Sequence, residues 1–131
     1  MRGYAAMTAQ EVSEFLNSGT LDISDIYAPT DAFLTAHPDL DEEEIEYSLS
    51  MVAAEDALEI RSVESGAACV LAFEIPHELI TESHAMSVSL SGPLAWEDLQ
   101  CLFEVSLDGE ELTWFATQEI EQNLSTWMKQ G

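Results

Sequence analysis

The feature that constrains this sequence most is the dipeptide Asp108-Gly109, which separates two runs of alternating apolar and polar residues. Asp-Gly is a strong signal for a two-residue β-hairpin, because the type I′ turn needs positive φ at both positions. We therefore predict a hairpin of strands 101–107 and 111–117. In its register six apolar residues share one face, with Val105 opposite Leu112, Phe103 opposite Trp114 and Cys101 opposite Ala116.

Changes in the spacing of apolar residues along the chain predict the other helices and strands. Residues 68–75 are almost continuously apolar, as in a strand buried on both faces. Residues 41–61 have helical period, with Asp41 as the N-cap and Arg61 in the last turn. Further strands are expected near 2–6 and 85–91, and further helices near 8–17 and 119–129. We expect one α+β domain spanning 1–131, with helices packed on a mixed sheet of about five strands. Residues 20–29 remain unassigned.

The charge of the chain excludes one class of function. Twenty-six acidic residues stand against three Lys and Arg, giving a net charge of −23. Such a chain has no basic surface to neutralise phosphates, so we expect no direct binding of DNA or RNA. The sequence also lacks the ~20 continuous apolar residues of a membrane span, and Glu11 and Glu14 precede any signal-like apolar run. We expect a soluble, cytoplasmic protein with no membrane contact.

The sequence contains no recognised catalytic, cofactor or metal motif. The glycines fit neither a dinucleotide-binding nor a P-loop pattern, and His77-Glu78 lacks a second histidine at Thr81. Cys69 and Cys101 lie in apolar stretches, so we expect both to be reduced and buried. The run 39–46 holds six carboxylates in eight residues, which helix capping and the helix dipole explain, with weak cation binding as the alternative. No cofactor and no metal site is predicted.

Seven side chains are candidate binding residues, and no catalytic residue is assigned. Glu46 and Tyr47 are adjacent polar residues, although neighbours on a helix face different ways. His77 stands beside Glu78. Tryptophans such as Trp114 and Trp127 are more often core residues than ligand-binding surfaces. The candidates are Tyr4, Glu46, Tyr47, His77, Trp114, Glu119 and Trp127.

Several short motifs resemble those of a family of small acidic bacterial proteins of unknown function. They are Arg2-Gly3-Tyr4 with Thr8, Asp41-Glu42-Glu43-Glu44-Ile45-Glu46-Tyr47, Phe73-Glu74-Ile75-Pro76, Leu90-Ser91-Gly92-Pro93, Leu112-Thr113-Trp114-Phe115 and Gln118-Glu119-Ile120. The resemblance spans nearly the whole chain and implies one domain without a recognised activity. The sequence departs from it at Ala6, where the family pattern has proline.

The leading functional hypothesis is a non-catalytic protein–protein interaction module. It follows from the absence of catalytic motifs, the acidic surface and a helical stripe of Leu124, Trp127 and Met128 that exceeds the expected needs of the core. The partner would be another protein or a second copy of the chain. Two alternatives stay open: an acidic mimic of nucleic acid that occupies a basic groove, and a small enzyme using Tyr4, Glu46, His77 or Glu119 around a pocket.

Overall fold

The computed structural model describes residues 1–129. The four α-helices are α1 (Ala9–Ser18), α2 (Asp31–Ala36), α3 (Glu42–Ile60) and α4 (Ile120–Met128). The nine strands are β1 (Arg2–Thr8), β2 (Thr20–Leu21), β3 (Asp25–Tyr27), β4 (Ala68–Glu74), β5 (Ile80–Ser83), β6 (Ser87–Leu90), β7 (Leu94–Ala95), β8 (Leu99–Val105) and β9 (Leu112–Ala116). The predicted α+β class is confirmed.

Seven strands form the main sheet in the order β5-β6-β3-β1-β4-β8-β9, and β2 pairs with β7 in a separate ribbon. Every strand pair is antiparallel, so the expectation of a mixed sheet is wrong in that respect. The strands that the sequence does not signal are β2, β3, β5 and β7. Each has only two to four residues, which is too short to show an alternating pattern.

The predicted register of the β8–β9 hairpin is confirmed, including the pair Phe103 and Trp114. The type I′ turn is wrong, because among residues 107–110 only Gly109 has positive φ, at 76°. The Gly109 N–H donates to the Ser106 carbonyl at 2.9 Å, and the Asp108 carboxylate accepts from the Ser106 hydroxyl at 2.6 Å. These backbone and side-chain hydrogen bonds stabilise a longer loop, and the register of the hairpin is unchanged.

The N-termini of α1 and α3 are capped as their sequences predict, whereas Arg61 is the C-cap just beyond α3 and does not lie in its last turn as expected. Thr8 and Glu11 form a capping box at the start of α1, and Asp41 and Glu44 form another at the start of α3. In each box the N-cap side chain accepts from the N3 amide, while the N3 carboxylate accepts from the N-cap amide. The acidic start of α3 therefore has a structural role.

One face of the sheet is covered by α1 and α4. Val12 and Phe15 from α1, with Ile120 and Trp127 from α4, are buried in this core. Trp127 is only 1% exposed, and Leu124 and Met128 pack against the same core. The expectation that this stripe exceeds the needs of the core is therefore wrong.

The other face is covered mainly by α3, whose Leu49, Ala53 and Ala57 are fully buried over β1, β4 and β8. A helix is about 10 Å across, whereas seven strands at about 4.8 Å spacing are more than 30 Å wide. One long helix cannot cover the whole face. Parts of this face of the sheet therefore stay uncovered on both sides of α3, one toward β9 and the other toward β3 and β6.

None of the helices in the described part of the chain is both long and apolar enough to cross a membrane.

Candidate functional site

A groove of about 310 Å³ lies beside α3, on the side toward β9. We call it the Arg2 groove; its lining residues are Arg2, Tyr4, Glu43, Glu46, Tyr47, Ser50, Phe103, Glu110 and Leu112. A second cavity of about 340 Å³ shares Arg2, Tyr4 and Glu46 with it. This second cavity has apolar walls from Pro29, Leu34, Ile45 and Leu49. Arg2, Tyr4 and Glu46 thus line both a groove lined mostly by polar residues and a cavity with apolar walls.

Arg2 and Tyr4 both line the groove because β1 places them on the same face, two residues apart. The Arg2 Nη2 donates to the Cys101 Sγ at 3.4 Å, and the Arg2 Nε lies 3.9 Å from the Glu46 Oε1. The Nε is buried and has no hydrogen-bond partner among the described residues. The guanidinium is therefore held by weak contacts and keeps unused donor capacity.

Two of the groups beside Arg2, the Tyr4 phenol and the Cys101 thiol, stay protonated at neutral pH. Burial, together with the negative charge of Glu46, raises the pKa of Tyr4 to about 12. Burial also raises the pKa of the Cys101 thiol, against the opposing effects of Arg2 and Trp114. Neither group is thus activated as a nucleophile or a base, since catalysis needs a pKa near the working pH.

Two aromatic side chains stand exposed at the margin of the Arg2 groove. Tyr47 is 61% exposed on α3, and Trp114 is 57% exposed on β9 beside Phe103. Trp, Tyr and Arg dominate the binding energy of protein interfaces. The groove brings all three residue types to one surface.

The structure separates the seven candidates into two groups. Tyr4, Glu46 and Tyr47 line the Arg2 groove, because the groove lies along the flank of α3 and contacts neighbouring positions of the helix. Trp114 lies next to the groove, because on β9 it pairs with Phe103, which lines the groove. The other three candidates lie elsewhere: His77 in a 3-10 turn, Glu119 as the acceptor for the Ala116 N–H, and Trp127 in the core.

Sequence reasoning omitted Arg2 and Cys101 from the candidates. The spacing of Arg2 and Tyr4, two residues apart in a strand, was the available signal for a shared face. The hairpin register likewise places Cys101 on the same face as Trp114. Both residues could have been included on these grounds.

A further cavity of about 500 Å³ lies on the other side of α3. It is lined by Asp25, Tyr27, Asp56 and His84, among others. The hydrogen bond to Asp56 is the main cause that raises the pKa of Tyr27 to about 12. The Ser89 hydroxyl donates to Asp25 at 2.9 Å and lies 2.8 Å from the His84 Nε2. In a Ser-His catalytic pair the histidine accepts the serine proton, whereas Ser89 directs its proton to Asp25.

Residues 1–129 contain no group of three or more His, Cys, Asp or Glu side chains placed to hold a metal ion.

A model of the family of unknown function DUF6912 matches residues 1–105. The chain belongs to this family. The resemblance to uncharacterised proteins is thereby confirmed. The DUF6912 match contains Arg2, Tyr4, Glu46 and Tyr47, and it ends before Trp114. No curated protein and no solved structure matches the chain.

Alkaline pH is expected to destabilise the protein through Tyr4. Its pKa is raised from 10.0 to about 12 in the folded state, so above about pH 9.5 the unfolded chain releases a proton that the folded chain keeps. Stability then falls as pH rises between these two values. Thermal unfolding at pH 8.5 and 10.5 should show a fall in Tm that is smaller in Tyr4→Phe. Tyr47→Phe, at an exposed position, should keep the wild-type fall, and an unchanged fall in Tyr4→Phe would contradict the assignment.

Proposed function

We propose that this DUF6912 protein is a non-catalytic protein-binding module whose contact surface is the Arg2 groove. The observation that carries the proposal is the placement of two side chains that are both more than half exposed: Tyr47 lines the Arg2 groove, and Trp114 pairs across the β8–β9 hairpin with Phe103, which also lines it. Exposed aromatic rings cost little conformational entropy on binding and bury a large area.

The charge of the groove favours a basic partner. Three carboxylates, from Glu43, Glu46 and Glu110, stand against the single guanidinium of Arg2 in its lining. The whole chain carries −23, which accelerates the approach of a positively charged protein and disfavours nucleic acid. The partner surface would therefore combine Lys or Arg with apolar side chains.

The two alternatives receive less support. A small enzyme could use the concave site at Tyr4 and Glu46, but the raised pKa values of Tyr4 and Cys101 favour binding over chemistry. A nucleic-acid mimic would concentrate its carboxylates on one face. Here acidic residues occur on α1 and α4 as well as on α3, on both sides of the sheet. That spread is typical of a solubilising surface.

We propose that the chain acts as one domain in the cytoplasm, where its two free, buried cysteines would stay reduced.

The test compares partner capture by two double variants. Tyr47→Ala with Trp114→Ala removes the exposed rings of the groove, and is expected to reduce the enrichment of a specific partner at least tenfold. Each hot-spot residue contributes about 2 kcal/mol or more, and 1.4 kcal/mol is tenfold in affinity. The measurement is quantitative mass spectrometry of proteins captured from a lysate of the source cells.

The matched control is Ile60→Ala with Val63→Ala, which removes apolar side chains that are 50% and 73% exposed outside the groove. This variant should capture the partner as the wild type does. If the groove variant keeps full capture, or if the wild type enriches nothing over an unrelated protein of equal negative charge, the proposal fails.

A further inference from the structure

The two edges of the seven-stranded sheet are protected to different degrees. The edge strand β5 carries Glu82, and its pairing with β6 shifts register between Ile80 and Glu82. A charge and an irregular register are devices that stop an edge from pairing with another chain. The opposite edge strand, β9, has the uncharged sequence Leu-Thr-Trp-Phe-Ala and pairs with β8 without a register shift. The β9 edge therefore lacks these protections.

The hydrogen-bond pattern identifies the groups that β9 leaves free. The Ser106 N–H donates to the Glu111 carbonyl at 3.0 Å, so alternate residues from Glu111 onward direct their amides toward β8. Thr113 and Phe115 follow that direction. Leu112, Trp114 and Ala116 therefore direct their amides away from β8, and the Ala116 N–H donates to the Glu119 carboxylate at 2.8 Å.

Two outward N–H groups, of Leu112 and Trp114, remain without a partner among the described residues, at an exposed strand. Unpaired backbone donors in a row are a template for one more strand. The Trp114 ring stands next to these donors and is 57% exposed. This edge adjoins the Arg2 groove, because Leu112 also lines that groove.

We propose that the β9 edge binds an extended, lysine- or arginine-rich segment of a partner protein as an eighth strand of the sheet. This inference rests on the proposed function, since it names the kind of partner that the groove would bind. Glu110 and Glu111 precede β9, and Glu119 and Glu121 follow it, so carboxylates stand near both ends. Basic side chains of an added strand would meet these carboxylates, and one could lie over the Trp114 ring. A second copy of the chain would bring another net charge of −23 to the same edge, so electrostatic repulsion disfavours it as the occupant.

Amide hydrogen exchange followed by NMR tests this proposal on the intact protein. The probe is an acetylated heptapeptide of alternating lysine and valine, and the control probe has proline in place of the middle valine. In the free protein, the Leu112 and Trp114 amides should exchange fast, and those of Thr113 and Phe115 slowly. The alternating probe should slow exchange at Leu112 and Trp114 at least tenfold, and the proline probe should leave it unchanged.

The other outcomes separate this proposal from the proposed function. If the probe binds without protecting these two amides, and Tyr47→Ala weakens its binding, the groove role stands and the added strand is overturned. If the protein protects the same amides by self-association without any probe, the occupant is a second copy and the basic partner is overturned. If the probe does not bind, the added strand is overturned, while partner capture by the groove variants decides the protein-binding role independently.

Discussion

Replacing Trp127 with alanine is expected to lower the free energy of unfolding by about 4 kcal/mol. Trp127 is 1% exposed, and its ring packs edge-on against Phe115 at a centroid distance of 5.1 Å. Removing it leaves a large cavity between α4 and the sheet, which the surrounding side chains can fill only in part. Denaturant unfolding followed by circular dichroism measures the loss.

Trp114→Ala is the matched control, since it removes the same side chain from the surface of β9. Because Trp114 is 57% exposed, its truncation should cost less than about 1 kcal/mol. Equal losses in the two variants would show that Trp127 does not anchor α4 to the sheet. A small loss at Trp114 also keeps that variant folded, as the capture experiment requires.

Gly66→Ala is expected to destabilise the fold by about 3 kcal/mol. Gly66 has a φ of +80°, which favours glycine, and an added Cβ would lie 2.8 Å from the Trp127 carbonyl oxygen and 2.9 Å from the Met128 Cα. Both atoms belong to the backbone of α4 and cannot turn away as a side chain could. The variant must therefore separate the start of β4 from α4. Its thermal and denaturant unfolding report the loss.

Gly19→Ala separates backbone strain from this steric contact. Gly19 has the same φ of +80°, but nothing lies within 4 Å of an added Cβ. Only the conformational penalty applies there, and about 1 kcal/mol is expected. If Gly66→Ala costs no more than Gly19→Ala, the close approach of α4 to Gly66 is not rigid in solution.

Local patterns were sufficient for the long elements of this fold. The capping residues Thr8 and Asp41 begin helices where expected, and the register around Asp108-Gly109 has the predicted partners. These features depend on interactions between residues close together in the chain. Neighbouring positions in the sequence are therefore enough to predict them. Even here the turn differs, because Ser106 and Asp108 side chains support a longer loop.

The short strands could not be predicted in this way. β3 has three residues and pairs with β1 only at Tyr4 and Tyr27, while its other side pairs with β6. Such a segment becomes a strand because the adjacent strands of the sheet supply its hydrogen bonds. Its own sequence shows no alternation of apolar and polar residues that would predict the pairing.

The candidate site is likewise predicted in part by local sequence patterns, while the rest depends on the tertiary structure. The period of a strand places Arg2 and Tyr4 on one face, and the hairpin places Cys101 and Trp114 on one face. Whether those two faces meet depends on the order of strands in the sheet, which residues distant in sequence determine.

Helical period likewise indicates that Trp127 shares a stripe with Leu124, and strand period indicates that Trp114 shares a face with Phe103. The sequence alone does not show which of these apolar surfaces is covered. The tertiary structure decides it: α4 lies against the sheet and buries Trp127, whereas α3 covers β1, β4 and β8. Because a single helix is narrower than a seven-stranded sheet, Trp114 on the edge strand is left exposed beside the Arg2 groove.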